Sequence, residues 1–174
     1  EPESAVTFVD NHDTQPSQAL ASWVPPWFKP LAYALILFRK EGVPCVFYGD
    51  LVGIPHDRIT PVMGLKRMIQ ARKDYAYGQQ RDYFDDPNII GWTLSGEADH
   101  PHSGMAVIMS DAPGGTKWME VGKALAGSTL RDMLMNQTDT VVLDENGGGC
   151  FPVGGGSVSV WVLDEAYDAL TLKL

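Results

Sequence analysis

Between positions 5 and 77 the apolar residues form two short unbroken runs and two longer periodic ones; from 78 to 163 they come in short bursts broken by glycine and aspartate. Ala5-Val6-Thr7-Phe8-Val9 ends on polar Asp10-Asn11-His12-Asp13, and Val43-Pro44-Cys45-Val46-Phe47-Tyr48 ends on Gly49-Asp50. Runs that do not alternate suit strands buried on both faces, the usual condition of parallel sheets. Between them, Pro30 to Lys40 predicts a helix with proline in its first turn and Gly42 just past its end. Strand, helical crossover and strand make a βαβ unit. A second helix is predicted over Thr60 to Tyr75, with Thr60 as N-cap and Pro61 at the first helical position. There Val62, Leu65 and Ile69 recur at spacings of three and four, and Lys66, Arg67 and Lys73 fall mostly off that stripe.

The later bursts predict eight short strands: Arg81-Phe84, Ile89-Ser95, Met105-Ser110, Lys117-Val121, Thr129-Met133, Thr140-Leu143, Cys150-Val153 and Ser157-Leu163. Turn-forming segments such as Asp85-Asp86-Pro87-Asn88 and Gly147-Gly148-Gly149 separate them. Strands at this spacing point to an antiparallel sandwich. In Ser157 to Leu163 the valines alternate with Ser157, Ser159 and Trp161, which predicts one packed and one partly wet face. The expected fold class is therefore α/β plus all-β, with 1–77 as one part and 78–174, including a short tail, as the other.

Composition narrows the partners. Thirteen basic against 22 acidic residues give a formal charge of −9, and no basic stretch could track a phosphate backbone, so nucleic acid is not an expected partner. The longest apolar run, Leu31 to Phe38, stops at Arg39, far short of the roughly 18 residues of a membrane span. Cys45 and Cys150 lie in different predicted units, so two buried free thiols are expected rather than a disulfide. No leader segment is visible at the N-terminus.

The densest chemistry follows the first strand. Asp10-Asn11-His12-Asp13 sets two acids around an amide and an imidazole, a group suited to a polyhydroxylated ligand. Catalytic residues in barrels sit at such strand ends. Read from spacing alone, the two aspartates serve equally well as loop caps.

Phe8-Val9-Asp10-Asn11-His12-Asp13 resembles the fourth conserved region of the α-amylase family, glycoside hydrolase family 13, which closes the seventh barrel strand. Trp27-Phe28-Lys29-Pro30-Leu31-Ala32-Tyr33-Ala34-Leu35, Gly42-Val43-Pro44-Cys45-Val46-Phe47-Tyr48-Gly49-Asp50, Ala71-Arg72-Lys73-Asp74-Tyr75-Ala76-Tyr77-Gly78 and Gly154-Gly155-Gly156-Ser157-Val158-Ser159-Val160 are similar, in order, to liquefying bacterial and intracellular fungal members. The resemblance implies the last two βα units of a TIM (β/α)8 barrel followed by the β-sandwich C-terminal domain. It implies that Asp13 is the third catalytic carboxylate, a transition-state stabiliser, and that His12 donates a hydrogen bond to substrate, with Asn11, Gln15 and Gln18 as further α-glucan contacts. In that retaining mechanism a nucleophilic Asp and a general acid/base Glu come from earlier strands. This chain has no match to either motif, so the chain alone is expected to be inactive. A barrel needs eight units, so roughly 190 residues of barrel are expected upstream as its structural partner.

The same resemblance places Asn88 and Asp111, with the carbonyl of position 87, at a calcium ion whose other ligands would lie upstream; asparagine stands where the family usually has aspartate. Rival readings are a transglycosylating or maltooligosaccharide-forming relative, and a non-catalytic glucan-binding module. Trp92, Trp118 and Trp161 are expected in the sandwich core, and Trp27 in packing of the first helix. Trp23 is a possible sugar platform, and Tyr48 with Asp50 would shape the floor of the site. His100-Pro101-His102 reads as a solvated turn, and Asn136-Gln137-Thr138 as a glycosylation triplet that matters only on export. Resemblance to intracellular members, with the unpaired thiols, points toward the cytoplasm.

Overall fold

The computed structural model describes residues 1–172. Contacts divide the chain into two compact units, Glu1–Ile69 and Gln70–Leu174. In the first, β1 (Val6–Phe8) lies parallel to β2 (Val43–Cys45), with Val6 opposite Val43 and Phe8 opposite Cys45. The connection carries α1 (Lys29–Phe38), whose Leu31, Tyr33, Ala34, Leu37 and Phe38 are buried. Gly42, at φ +89°, turns the chain into β2 where a side chain would strike Thr7. Strand surfaces are left open: Val6, Phe8 and Val43 are 64%, 52% and 54% exposed.

Three expectations fail in this unit. The second strand stops at Cys45, and Tyr48–Val52 form a short helix, α2. In a strand, Tyr48 and Asp50 would share a face; here Tyr48 points to solvent and Asp50 is fully buried, toward α1. The second helix, α3 (Leu65–Tyr75), begins five residues late because Gly64 takes φ +77°, outside the right-handed region. Its buried positions are Leu65, Met68, Ala71 and Tyr75. Trp27 is exposed, against Phe28 alone among ring contacts described, rather than packed beneath α1.

Among the described residues the second unit contains eight strands. A six-stranded antiparallel sheet has the order β3-β4-β5-β10-β7-β8, from β3 (Gln80–Tyr83), β4 (Ile89–Leu94), β5 (Met105–Ser110), β7 (Thr129–Asp132), β8 (Thr140–Val142) and β10 (Ser157–Leu163). A two-stranded sheet of β6 (Gly115–Glu120) and β9 (Gly148–Val153) packs over it, β6 on β4 and β5, β9 on β5, β8 and β10. This is a sandwich of unequal layers, with Trp92, Met105, Ile108, Met119, Phe151 and Trp161 fully buried.

Here too the sequence misleads in places. The expected wet face of β10 is dry, Ser159 and Trp161 both being 0% exposed, because β10 is an inner strand of the sheet. The expected tail is a helix, α4 (Asp164–Leu172), that packs on β7 and β10 through Ala166 and Leu170; Lys173 and Leu174 lie outside the described residues. Two acids in its first turn suit the positive end of the helix dipole. Trp118 is 53% exposed on the outer face of β6, its indole over Gly148, rather than in the core. Both cysteines are free, but exposed rather than buried: Cys45 ends a strand of the open parallel pair, and Cys150 faces outward opposite Trp118. His100 stacks on Tyr77 at 3.4 Å in its turn.

Candidate active-site loop

The polar residues after β1 form a loop held together by its own side chains. Asn11 Oδ1 accepts from the backbone N–H of Asp13 at 2.9 Å and of Thr14 at 3.1 Å. Thr14 Oγ1 donates to Asp10 Oδ1 at 3.1 Å and accepts from the N–H of Asn11 at 3.1 Å. This pattern is what short Asx and Thr side chains do where the backbone leaves regular structure. His12 and Asp13 are the residues this bracing leaves outward. Both are exposed, with His12 Nε2 3.4 Å from Asp13 Oδ1.

Beneath the loop is a buried charge cluster. Lys29 Nζ lies 3.0 Å from Asp10 Oδ2 and contacts Asp50 Oδ1. Lys29, Asp10 and Asp50 are 3%, 2% and 0% exposed. A lysine at that depth requires partners, and it has two carboxylates and the Trp23 ring, whose centroid is 3.0 Å away. Tyr33 donates to Asp50 Oδ2 at 2.6 Å. Burial, reinforced by the Asp50 hydrogen bond and charge, pushes the Tyr33 phenol far above its ordinary range, so it remains a donor. Asp10 also accepts from the N–H of Val24 at 3.3 Å, which ties in the segment leading to α1.

Of the residues singled out from the sequence, the structure brings Asn11, His12 and Asp13 together. Asn11 turns its oxygen inward to hold the loop. Gln15 is buried and donates through Nε2 to Asp57 Oδ2 at 3.2 Å, whereas Gln18 is exposed further along. Lys29 and Tyr33 were not singled out, and Asp10 stood only as one acid of the polar run rather than as the partner of a buried lysine. The available signal was a lone lysine opening an otherwise apolar helix, which at a buried site must find acids elsewhere.

In the second unit, Ile89 pairs with Ser110, so Asn88 and Asp111 follow on from opposite strands at the same end of the β4/β5 ladder. Asp86 Oδ1 holds the approach by accepting from the N–H groups of Asn88 and Ile89 at 2.7 and 2.9 Å. Those bonds keep its carboxyl below the usual range. Among the described residues no three His, Cys, Asp or Glu side chains converge as a metal site. No described helix is long and apolar enough to cross a membrane.

Residues 105–162 match the family model described as alpha-amylase C-terminal. The chain is 57% identical over 163 residues to an alpha-amylase of Geobacillus stearothermophilus, covering 93% of this chain and 30% of that protein. It is 56% identical to a glucan 1,4-alpha-maltohexaosidase of Bacillus sp. (strain 707), covering 92% and 31% respectively. Among solved structures, an Anoxybacillus alpha-amylase aligns with a TM-score of 0.65 at 17% identity over 93% of this chain and 38% of that one, a likeness of fold. The chain thus spans about a third of the length of the curated relatives it matches. Over most of its length the chain is similar to one part of these longer alpha-amylases, and its residues 105–162 match the alpha-amylase C-terminal domain.

Proposed function

We propose that this chain supplies one catalytic carboxylate to an endo-acting, retaining α-1,4-glucan hydrolase acting on starch, glycogen or maltooligosaccharides. The observation that carries the reading is Asp13: exposed beside His12, at the end of a parallel strand, on a loop braced from below. In a retaining hydrolase the positive charge that develops on the sugar ring favours a nearby carboxylate, and a donor that tightens only in the transition state raises kcat rather than affinity. Asp13 takes the first role and His12 the second, with exposed Gln18 as a further glucan contact and with inward-turned Asn11 and buried Gln15 shaping the loop that presents them. The nucleophilic Asp and the acid/base Glu come from elsewhere in the enzyme.

The parallel pair β1/β2 with its α1 crossover supports reading 1–77 as the last two βα units of a TIM barrel, and the open apolar faces of Val6, Phe8 and Val43 are where further barrel strands would pack. Residues 78–174 are then the C-terminal sandwich. The test is release of reducing ends from amylose. The purified chain gives none, and an enzyme containing it does, with the product anomer retained by proton NMR. Activity of the chain alone, or inversion of the anomer, contradicts the reading.

Calcium fits this chain in part. Calcium takes six to eight hard oxygen ligands, and Asn88, Asp111 and the carbonyl of Pro87 offer a few at one corner of the sandwich, so the remainder must come from other parts of the enzyme. When bound, the ion would tether that corner and supply no step of hydrolysis.

Two alternatives remain to be tested. A maltooligosaccharide-forming enzyme is one, since the maltohexaosidase is 56% identical and the alpha-amylase 57%, and the product distribution on amylose decides it. The exposed indole of Trp118 favours glucan binding through the sandwich; retention of the chain on insoluble starch, lost in Trp118→Ala, would support it, and failure of the chain to be retained would remove it.

A further inference from the structure

The loop's bracing singles out a residue that makes no claim on substrate. Thr14 follows Asp13 directly, and both its backbone N–H and its hydroxyl are engaged: the N–H with Asn11 Oδ1, the hydroxyl with Asp10 Oδ1 and the N–H of Asn11. Asp10 in turn is fixed by Lys29 and by the N–H of Val24. The chain of contacts therefore runs from a buried ammonium through Asp10 to the hydroxyl adjoining the exposed carboxylate. Among the described residues the Asp13 side chain has no equivalent anchor, and its contact is with the still more exposed His12. Its aim is set by the backbone, and the backbone on its C-terminal side is set by Thr14.

We infer that Thr14 is a positioning residue for Asp13, its hydroxyl transmitting the fixed position of the Lys29–Asp10 pair to the catalytic loop. The inference rests on the proposed catalytic role of Asp13. Valine has nearly the shape of threonine but can neither donate to Asp10 nor accept from Asn11. With the hydroxyl gone, the loop keeps the Asn11 bonds and loses its tie to the buried cluster. A displacement of an ångström in a reacting group costs on the order of 100-fold in rate. His12 shares the loop, but a donor that tightens only in the transition state acts on kcat rather than on affinity, so the loss falls on kcat more than on KM.

The test uses Thr14→Val and Thr14→Ser, with Asp13→Asn alongside, in an enzyme containing this chain. Steady-state kinetics on a maltooligosaccharide are normalised to folded protein. The expected result is a fall in kcat of about tenfold or more for Thr14→Val with KM within about twofold, and recovery to within about threefold of the parent for Thr14→Ser. If Thr14→Val lowers the melting temperature but keeps kcat per folded molecule, the hydroxyl is only stabilising and the inference is overturned. Serine that fails to restore kcat overturns it as well. If Asp13→Asn itself retains kcat, the catalytic reading of Asp13 falls, and this inference with it.

Discussion

Replacing Lys29 by methionine keeps most of the buried stem and removes the ammonium. Asp10 and Asp50, 2% and 0% exposed, would then face each other's charge without a cation. Asp10 would retain the N–H of Val24 and the Thr14 hydroxyl, and Asp50 would retain the Tyr33 hydroxyl. Those neutral donors do not replace a full charge. Breaking a buried ion pair from one side costs about 3 to 5 kcal/mol, because the partner is left desolvated and unpaired. At about 1.4 kcal/mol per factor of ten, the lower bound raises local opening by about 100-fold. Hydrogen exchange of the α1 amides reads this directly, with the β5 amides of the other unit as internal reference. Lys29→Met should accelerate α1 exchange by two orders of magnitude. Combining it with Asp10→Asn and Asp50→Asn should recover much of the loss, since neutralising a whole buried cluster costs far less than orphaning half of it. Acceleration below about fivefold would refute the view that this cluster holds the first unit together.

Other expectations follow from the second unit. Asp132 Oδ1 accepts from the N–H groups of Leu134 and Val160 and Oδ2 from those of Asn136 and Gln137, all at 2.9 to 3.1 Å, so Asp132→Asn aims an amide donor at two N–H groups. That should cost about 2 to 6 kcal/mol in denaturant unfolding, at roughly 1 to 3 for each of the two orphaned donors. Burial pushes the Asp132 carboxyl up against those hydrogen bonds, whereas backbone N–H donors from Gly148 and Asn146 hold Asp144 below the usual range. Asp144 therefore contributes stability that is present above the ordinary carboxylate range and lost as pH falls through its folded pKa. Asp132 contributes stability present below its unfolded pKa and lost as pH rises through its folded one. Carbonyl carbon NMR should find Asp132 taking its proton at higher pH than Asp144, and the reverse order would contradict the assignment. Gly147 sits at φ +79°, and a Cβ there would lie 2.0 Å from the Gly122 carbonyl oxygen, so Gly147→Ala should lower stability by about 1 to 3 kcal/mol, read as the denaturant midpoint.

What could be read in the sequence was whatever its periodicity encodes locally. Unbroken apolar runs marked the parallel pair β1 and β2, and glycine-punctuated bursts marked all eight strands of the second unit. Periodicity failed where the partner is remote in sequence. Lys29 finds Asp10 and Asp50 nineteen residues before it and twenty-one after it, and no local pattern announces that meeting. Tyr48 and Asp50 looked like a strand end because Val46 and Phe47 continue the apolar run, yet the chain turns there to bring Asp50 inward. Trp118 looked like core because tryptophan in a strand is usually packed, but β6 belongs to a narrow two-stranded layer with one open face. In the loop after β1, the residue types were visible and their division of labour was not. Asn11 Oδ1 holds the backbone N–H groups of Asp13 and Thr14, Thr14 Oγ1 joins the N–H of Asn11 to the Asp10 carboxylate, and His12 and Asp13 are left facing outward.

The central claim is that Asp13 stabilises the transition state of glucan hydrolysis. It is tested most directly by kcat for Asp13→Asn in an enzyme containing this chain, with folding verified by an unchanged melting transition. Removing a preorganised electrostatic group typically costs 100-fold to 1,000-fold in kcat. The expected result is a loss of at least about 100-fold with little change in KM. A variant that keeps kcat within about threefold of the parent enzyme would contradict it.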